Sequence, residues 1–296
     1  MKKILCLSGG GVRGVAQLQV LKELEKKVGP LHEEYDLIIG TSVGAINAAI
    51  IASGDITMAD LDTKYNAMIK KVFTKRRFWK KPKYDRNYFV SEWGKIIDKD
   101  FKFGDAKTRL MVTTVDLVTD TNLFYKSWHE DDASEKMTEM VCRSFAAPMY
   151  FGQMVDHKNQ RVYIDGGCGN ANMPLNEAKL QAESFGWYAN GEEVEIHAIG
   201  TLFAIPELSF KQVAKGRWIK QLLEFMQPAE GGLARVQSGL DQIRRMRYIC
   251  KHNSSIKFKY WDRAYYRKTL KLDGVKYMDG YRAQGELMAQ IPLIDI

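Results

Sequence analysis

Cysteine is scarce in this sequence, with four residues in 296: Cys6, Cys142, Cys168 and Cys250. They lie far apart and form no C-x-x-C pair, which argues against a disulfide framework and fits reduced thiols in a cytosolic setting. The five histidines are equally scattered, and none sits in an H-E-x-x-H or similar metal-ligating pattern. No apolar run approaches the ~18 to 20 residues that a membrane-spanning helix needs. The opening MKKILCL superficially resembles a signal peptide. Its apolar stretch stops at Leu7, however, and Gly9-Gly10-Gly11 would break it, so a buried first strand is the better reading. Only 7 prolines occur, and there is no internal repeat and no Ser/Gly/Pro linker. One domain over residues 1–296 is therefore expected, its C-terminal part from about 205 to 296 a mostly helical extension of the same domain.

The chain is rich in positive charge. Its 44 Lys and Arg against 36 Asp and Glu give a formal net charge of +8, in a composition that is 45% hydrophobic and 27% charged. That balance belongs to an ordinary globular protein and excludes a disordered chain. It leaves open nucleic acid, an anionic membrane or simple solubility as the meaning of the charge.

Periodicity divides the first fifty residues into strand, helix, strand, helix. Lys3–Leu7 (KILCL) reads as a buried strand, and Val15–Val28 repeats Val20, Leu21 and Leu24 at helical spacing before Gly29-Pro30. Asp36–Ile39 is a second buried strand, and Gly44–Ala52 a helix of small residues. This alternation predicts a parallel α/β sheet. Beyond it, residues 57–100 read as interrupted helix. Arg109–Asp116 and Asn122–Trp128 read as a hairpin, and Ser134–Ser144 as helix. Arg161–Ile164 reads as strand, Pro174–Phe185 as helix, Val194–Ile199 as a buried strand, and Leu208–Arg247 as mostly helical.

The most informative motif is Gly40-Thr41-Ser42-Val43-Gly44, directly after the strand DLII and directly before the helix AINAAIIA. In a G-x-S-x-G elbow the chain reverses sharply between strand and helix, and small residues flank the turn because side chains there would clash. The serine is pushed into an exposed position at a helix N-terminus that favours an oxyanion. A second motif, Ser8-Gly9-Gly10-Gly11-Val12-Arg13-Gly14, follows the first strand. Gly9-x-Gly11-x-x-Gly14 satisfies a dinucleotide fingerprint, with Asp36 about twenty residues on. That acid begins the second strand instead of ending it, and no Gly-Lys-Ser/Thr follows to make a P-loop. A loop whose bare N–H groups hold an oxyanion, with Arg13 close by, explains both motifs at once.

A nucleophilic serine needs a base. His197 and His252 could complete a Ser-His-Asp triad, but His197 alternates within VEIHAI and His252 lies in a basic polar stretch. The stronger candidate is Asp165, which two glycines, Gly166 and Gly167, follow at the end of the strand RVYI.

With these residues the chain resembles a patatin-like phospholipase over most of its length. The G-G-G-x-[RK]-G loop of that family matches Gly9–Gly14, its G-x-S-x-G elbow Gly40–Gly44, and its D-G-[GA] motif Asp165–Gly167. Arg143–Phe151 is similar to the family's A-[ST]-x-A-A-P-x-Y-F segment. The resemblance implies a three-layer α/β/α sandwich with a mainly parallel central sheet, and hydrolysis of lipid acyl esters. It implies a Ser42–Asp165 dyad and no metal or other cofactor. Gly9, Gly10, Gly11, Arg13, Gly14 and Val43 would surround the oxyanion, and Gly40, Gly44, Gly166 and Gly167 would be the motif glycines. The family's Asn-Asn-Pro stretch is replaced by Asn172-Met173-Pro174, about one residue farther on. Bacterial members include phospholipases switched on by cyclic nucleotides, although no pattern here identifies a pocket for such an activator.

Lys70–Arg86 holds nine basic residues, four aromatics and one acid. On a lipid-cleaving chain, Phe73, Phe78, Trp79 and Tyr84 among the basic residues suit transient docking on an anionic phospholipid surface. That makes a cytoplasmic, peripherally membrane-associated protein the expectation and nucleic acid the weaker alternative. A second basic-aromatic stretch, Arg244–Arg267, has no assigned role.

Overall fold

A computed structural model describes residues 1–74, 82–188, 191–204, 233–266 and 269–296. The strands are β1 (Lys2–Leu7), β2 (Leu37–Thr41), β3 (Arg109–Asp116), β4 (Thr121–Lys126), β5 (Met154–Asp156), β6 (Arg161–Asp165), β7 (Val194–Ile199), β8 (Phe203–Ala204), β9 (Ile256–Trp261), β10 (Ala264–Tyr265) and β11 (Ile294–Asp295). The helices are α1 (Gly14–Val28), α2 (Leu31–Glu34), α3 (Val43–Ser53), α4 (Met58–Val72), α5 (Arg86–Trp93), α6 (Glu130–Ala133), α7 (Met137–Ser144), α8 (Leu175–Ser184), α9 (Leu233–His252) and α10 (Met278–Met288).

The sheet runs β11-β9-β7-β1-β2-β3-β6-β5, with β4 also paired to β3. Its centre, β9-β7-β1-β2-β3, is parallel throughout. The outer pairs β3–β4, β3–β6, β5–β6 and β9–β11 are antiparallel. The continuous apolar runs of the first strands follow from this position, because parallel strands covered by helices are buried on both faces. Alternation along β1 sends Leu5 and Leu7 to one face and Ile4 and Cys6 to the other. The first pair joins the core under α1, α3, α4, α7 and α10. The second joins a smaller core under α8 and α9. The result is the expected α/β/α sandwich, with the sheet as its middle layer.

The Arg109–Asp116 hairpin forms as anticipated, closing in register from Met111 opposite Lys126 to Asp116 opposite Thr121. Ile256–Trp261, part of the stretch without an assigned role, joins the sheet as a parallel neighbour of β7. Its Ile256, Phe258 and Tyr260 are buried, an apolar-polar alternation in which Lys257 and Lys259 are the polar positions. Farther on, α10 packs on α1 so closely that a Cβ on Gly285 would stand 2.4 Å from the Ala16 carbonyl oxygen. Arg282 of α10 reaches Asp62 and donates to Asn66 Oδ1 on α4 at 3.0 Å. The Gly285→Ala substitution should push these helices apart and lower stability by roughly 1–3 kcal/mol, read as a lower urea midpoint with an unchanged slope.

Candidate active site

Two strands end against the middle of β3 from opposite directions. The C-terminal end of β2 places Thr41 beside Thr113, while antiparallel β6 brings Asp165 beside Thr114. Threonine hydroxyls tie the junction: Thr41 and Thr113 Oγ1 are 2.8 Å apart, and Thr114 Oγ1 donates to Ile164 O at 2.8 Å. The chain turns immediately after each strand end, and the turns face one another. Ser42 Oγ donates to Asp165 Oδ2 at 2.7 Å, with the two residues 9% and 7% exposed. Asp165 Oδ1 accepts the Gly167 N–H at 2.7 Å, which fixes the carboxylate plane. The expected serine and acid are thus brought together.

Ser42 has φ 55° and ψ −121°, a strained combination for a residue with a side chain. Close contact on both sides requires it. A Cβ on Gly44 would lie 2.2 Å from the Leu7 carbonyl oxygen, and one on Gly40 would lie 2.4 Å from the Gly44 carbonyl oxygen. The Ser42 N–H donates to Ser144 Oγ at 2.9 Å, and α3 then carries Val43 as its first residue with its N-terminal N–H groups at the turn.

The glycine loop lies alongside. Gly9 N–H donates to Asn172 O at 3.2 Å, and Thr201 Oγ1 donates to Gly9 O at 2.8 Å. Gly10 packs on Thr201 and Gly11 on the Leu272 carbonyl, with Gly11 in the left-handed region at φ 59°. Among the described residues, the Gly10, Gly11 and Val43 N–H groups donate to no backbone carbonyl. The Arg13 guanidinium turns back onto the loop, its Nε donating to Gly10 O at 3.0 Å and its Nη1 to Leu202 O at 3.2 Å. It therefore stiffens the loop. Gly14 lies against Val43 and Tyr65, and Gly166 against Thr113.

A cavity of about 460 Å³ opens on Ser42, Asp165 and Gly9–Gly11. One wall is apolar, made by Tyr65, Met68, Ile69 and Val72 of α4 with Phe73, Phe89, Phe145, Tyr150 and Phe151. Its rings interlock, with Phe89 4.5 Å from Phe145 and Phe145 5.2 Å from Phe151, centre to centre. Such a wall suits an apolar group, and Ser42 borders the same cavity.

Neither histidine reaches this site. His197 Nδ1 lies 2.7 Å from the Tyr35 hydroxyl and its Nε2 3.3 Å from Glu195. With Lys259, it holds the Glu195 carboxyl down to about 2. His252 lies against Tyr248 at the exposed end of α9, the rings 4.3 Å apart and tilted by 52°. Asp36, the acid of the dinucleotide reading, pairs with Lys2 at 2.8 Å, at the end of β1 remote from the glycine loop.

Residues 5–179 match the model of the patatin-like phospholipase family. The chain belongs to that family. This patatin-like chain is similar to a cGAMP-activated phospholipase of Escherichia coli (strain TW11681), 27% identical over 240 residues that cover 73% of this chain and 66% of that protein. A cGAMP-activated phospholipase of Pseudomonas aeruginosa (strain BWHPSA011 / Pa011) is 32% identical over 184 residues, 57% of this chain and 53% of that one. The mouse calcium-independent phospholipase A2-gamma is 34% identical over 120 residues, 38% of this chain and 14% of that protein. The chain thus spans between 53% and 66% of the two bacterial relatives.

Several residues around the patatin-like site carry no motif. Asp262 Oδ1 accepts the Leu202 N–H at 2.9 Å and the Arg263 N–H at 2.8 Å, and Oδ2 accepts the Tyr260 hydroxyl. It thereby holds Leu202, itself at φ 69°, whose carbonyl holds Arg13. The Val12 N–H donates to Leu272 O at 2.7 Å. Gln242 bridges α9 to the loop after Asp165, its Nε2 donating to Asn170 O at 2.6 Å. Of the basic segment Lys70–Arg86, residues 75–81 lie outside the described residues. Phe73 and Tyr84 face inward, 5.0 Å apart, Lys71 pairs with Glu92, and Lys83 pairs with Asp273. Among the described residues no helix is long and apolar enough to cross a membrane.

Ser144→Ala should leave the Ser42 N–H without an acceptor and lower stability by about 1–3 kcal/mol, whereas Ser144→Thr retains the hydroxyl; thermal and urea melts read both. Burial pushes the Asp262 carboxyl up to about 6, against ~3.9 in an unfolded chain. The folded state therefore holds this proton more tightly. Its contribution to stability is full below about pH 4 and is lost as pH rises through about 6. Relative to Asp262→Asn, the wild type should lose stability between pH 4 and pH 7 in urea titrations at each pH.

Proposed function

We propose that this protein is a serine acyl hydrolase that cleaves fatty-acyl esters of phospholipids with Ser42 as nucleophile and Asp165 as base. The observation that carries the reading is the 2.7 Å hydrogen bond from Ser42 Oγ to Asp165 Oδ2 in the lining of a cavity with an apolar wall. Family membership and the phospholipase names of its relatives support it.

In this mechanism Asp165 Oδ2 takes the Ser42 proton as Oγ bonds to the ester carbonyl carbon. The N–H groups of Gly10, Gly11 and Val43 hold the resulting oxyanion. Collapse breaks the ester C–O bond, and the leaving alkoxide takes the proton back from Asp165. Water then attacks the acyl-serine, gives its proton to Asp165, and the fatty acid departs as Ser42 is reprotonated. An aspartate carboxylate is a weak base for an alcohol proton. Preorganised donors must supply much of the rate, and one such donor is worth about 10²–10³ in kcat.

Nothing at the dyad favours a Ser-His-Asp triad, because both candidate histidines are engaged elsewhere. Docking on an anionic membrane belongs to the same proposal. It is supported by residues 75–81 (KRRFWKK), which hold five basic residues and two aromatics in seven. Activation by a cyclic nucleotide, the property in the names of the two bacterial relatives, is compatible with this reading.

Fatty-acid release from mixed liposomes, followed by lipid mass spectrometry, tests the dyad. Ser42→Ala and Asp165→Asn should each reduce release to background with unchanged thermal melts, and full activity in Ser42→Ala would sink the mechanism. Cosedimentation with phosphatidylglycerol vesicles should exceed that with phosphatidylcholine vesicles and fall as salt is raised; equal binding to both removes the docking proposal.

A further inference from the structure

Two N–H groups of the glycine loop take their direction from residues far away in the chain. In a trans peptide the carbonyl of one residue and the N–H of the next point in opposite directions. Whatever holds the Gly9 carbonyl therefore directs the Gly10 N–H, and whatever holds the Gly10 carbonyl directs the Gly11 N–H. Thr201 Oγ1 donates to Gly9 O at 2.8 Å. Arg13 donates to Gly10 O through Nε at 3.0 Å and through its own N–H at 3.3 Å. Each N–H group is thus turned away from the partner that holds the carbonyl before it. Three glycines in succession have no Cβ to keep them on this course unaided. The loop lies directly against the nucleophile, since a Cβ on Gly9 would stand 3.0 Å from Ser42 Cβ.

The distant residues come from two neighbouring strand ends, beyond the part of the chain that matches the family model. β7 and β9 are parallel, with Ile199 beside Trp261, so the chain leaves both at one edge of the sheet. Gly200 N–H donates to Trp261 O there at 2.7 Å. Thr201, which is buried, and Leu202 follow β7, and Asp262 follows β9. Asp262 Oδ1 takes the N–H groups of both Leu202 and Arg263, and Oδ2 takes the Tyr260 hydroxyl. This fixes Leu202 at φ 69°, a left-handed conformation that leucine rarely adopts. In it the Leu202 carbonyl accepts Arg13 Nη1 at 3.2 Å. A relay of three hydrogen bonds therefore runs from Asp262 through Leu202 and Arg13 to the Gly10 carbonyl.

We propose that Thr201 and Asp262 are positioning residues for the oxyanion donors: Thr201 aims the Gly10 N–H, and Asp262, through Leu202 and Arg13, aims the Gly11 N–H. The inference rests on the hydrolase reading above and adds to it two residues that act through the loop.

Four variants test it. Thr201→Val keeps the shape and removes the donor, whereas Thr201→Ser keeps the donor. Asp262→Ala removes the acceptors, whereas Asp262→Asn keeps an oxygen for both N–H groups. With the soluble ester 4-nitrophenyl butyrate, Thr201→Val and Asp262→Ala should each lower kcat and kcat/KM alike by about 10²-fold, as for one misdirected oxyanion donor. Thr201→Ser and Asp262→Asn should recover most of that loss. Full activity in Thr201→Val, or a rise in KM at unchanged kcat, overturns the proposal. A second readout needs no turnover: N–H residual dipolar couplings in glycine-labelled protein. The Gly10 coupling should change in Thr201→Val and the Gly11 coupling in Asp262→Ala, while Gly54 and Gly104 keep theirs and show that the fold persists. Unchanged Gly10 and Gly11 couplings overturn the proposal whatever the activity. The stated changes, together with a wild type that hydrolyses no ester, would reject the hydrolase reading and leave the aiming of the loop standing.

Discussion

The turn at Ser42 constrains the whole site. A side-chain-bearing residue at φ 55° occupies a region that costs about 1–3 kcal/mol, and it stays there only because its surroundings permit no other path. β1 and α3 touch where Gly44 meets the Leu7 carbonyl, and β2 and α3 touch where Gly40 meets Ala45. The Ser144 hydroxyl fixes the intervening N–H. Parallel pairing of β1 with β2 brings those backbones together, so the conformation of one residue is set by the sheet as a whole.

The acid reaches the serine by a different geometry. In the parallel half of the sheet every strand ends at the same edge, which would crowd side chains together without opposing any two of them. β6 runs the other way and stops where β2 stops, with β3 between them. The two turns therefore meet head-on across Thr113 and Thr114. The same reversal explains why Gly166 must lack a side chain, because its Cβ would lie 2.2 Å from Thr113 Oγ1.

The elbow and the glycine loop were legible because both are local. Strand, glycine, serine and helix follow one another within a dozen residues, and each is required by its neighbour. The fold class was legible for the same reason, from β1, α1, β2 and α3. The antiparallel arrival of Asp165 was not, since a D-G-G turn reads alike after a strand of either direction. Asp262, Thr201 and Leu272 carry no motif at all; Thr201 and Leu272 act through single hydrogen bonds to residues some 190 and 260 positions earlier, and Asp262 acts through Leu202, 60 positions before it, and such contacts leave no periodicity. Phe73 and Tyr84 illustrate another limit. An aromatic among lysines suits a membrane surface and a packed wall equally well by composition; Phe73 lines the cavity wall and Tyr84 packs against it and Phe151. For β9 the signal was present in the alternation of Ile256, Phe258 and Tyr260 with Lys257 and Lys259, inside a stretch whose basic and aromatic composition suggested a surface.

The family-defining residues end before position 180, yet the loop beside Ser42 is clasped by Thr201, by Leu202 on Asp262, and by the Leu272 carbonyl. On a ribosome, both members of the Ser42–Asp165 pair leave the exit tunnel well before the residues that hold the glycine loop in place. A growing chain thus carries Ser42 beside an unbraced glycine loop until Thr201, Asp262 and Leu272 have all been added.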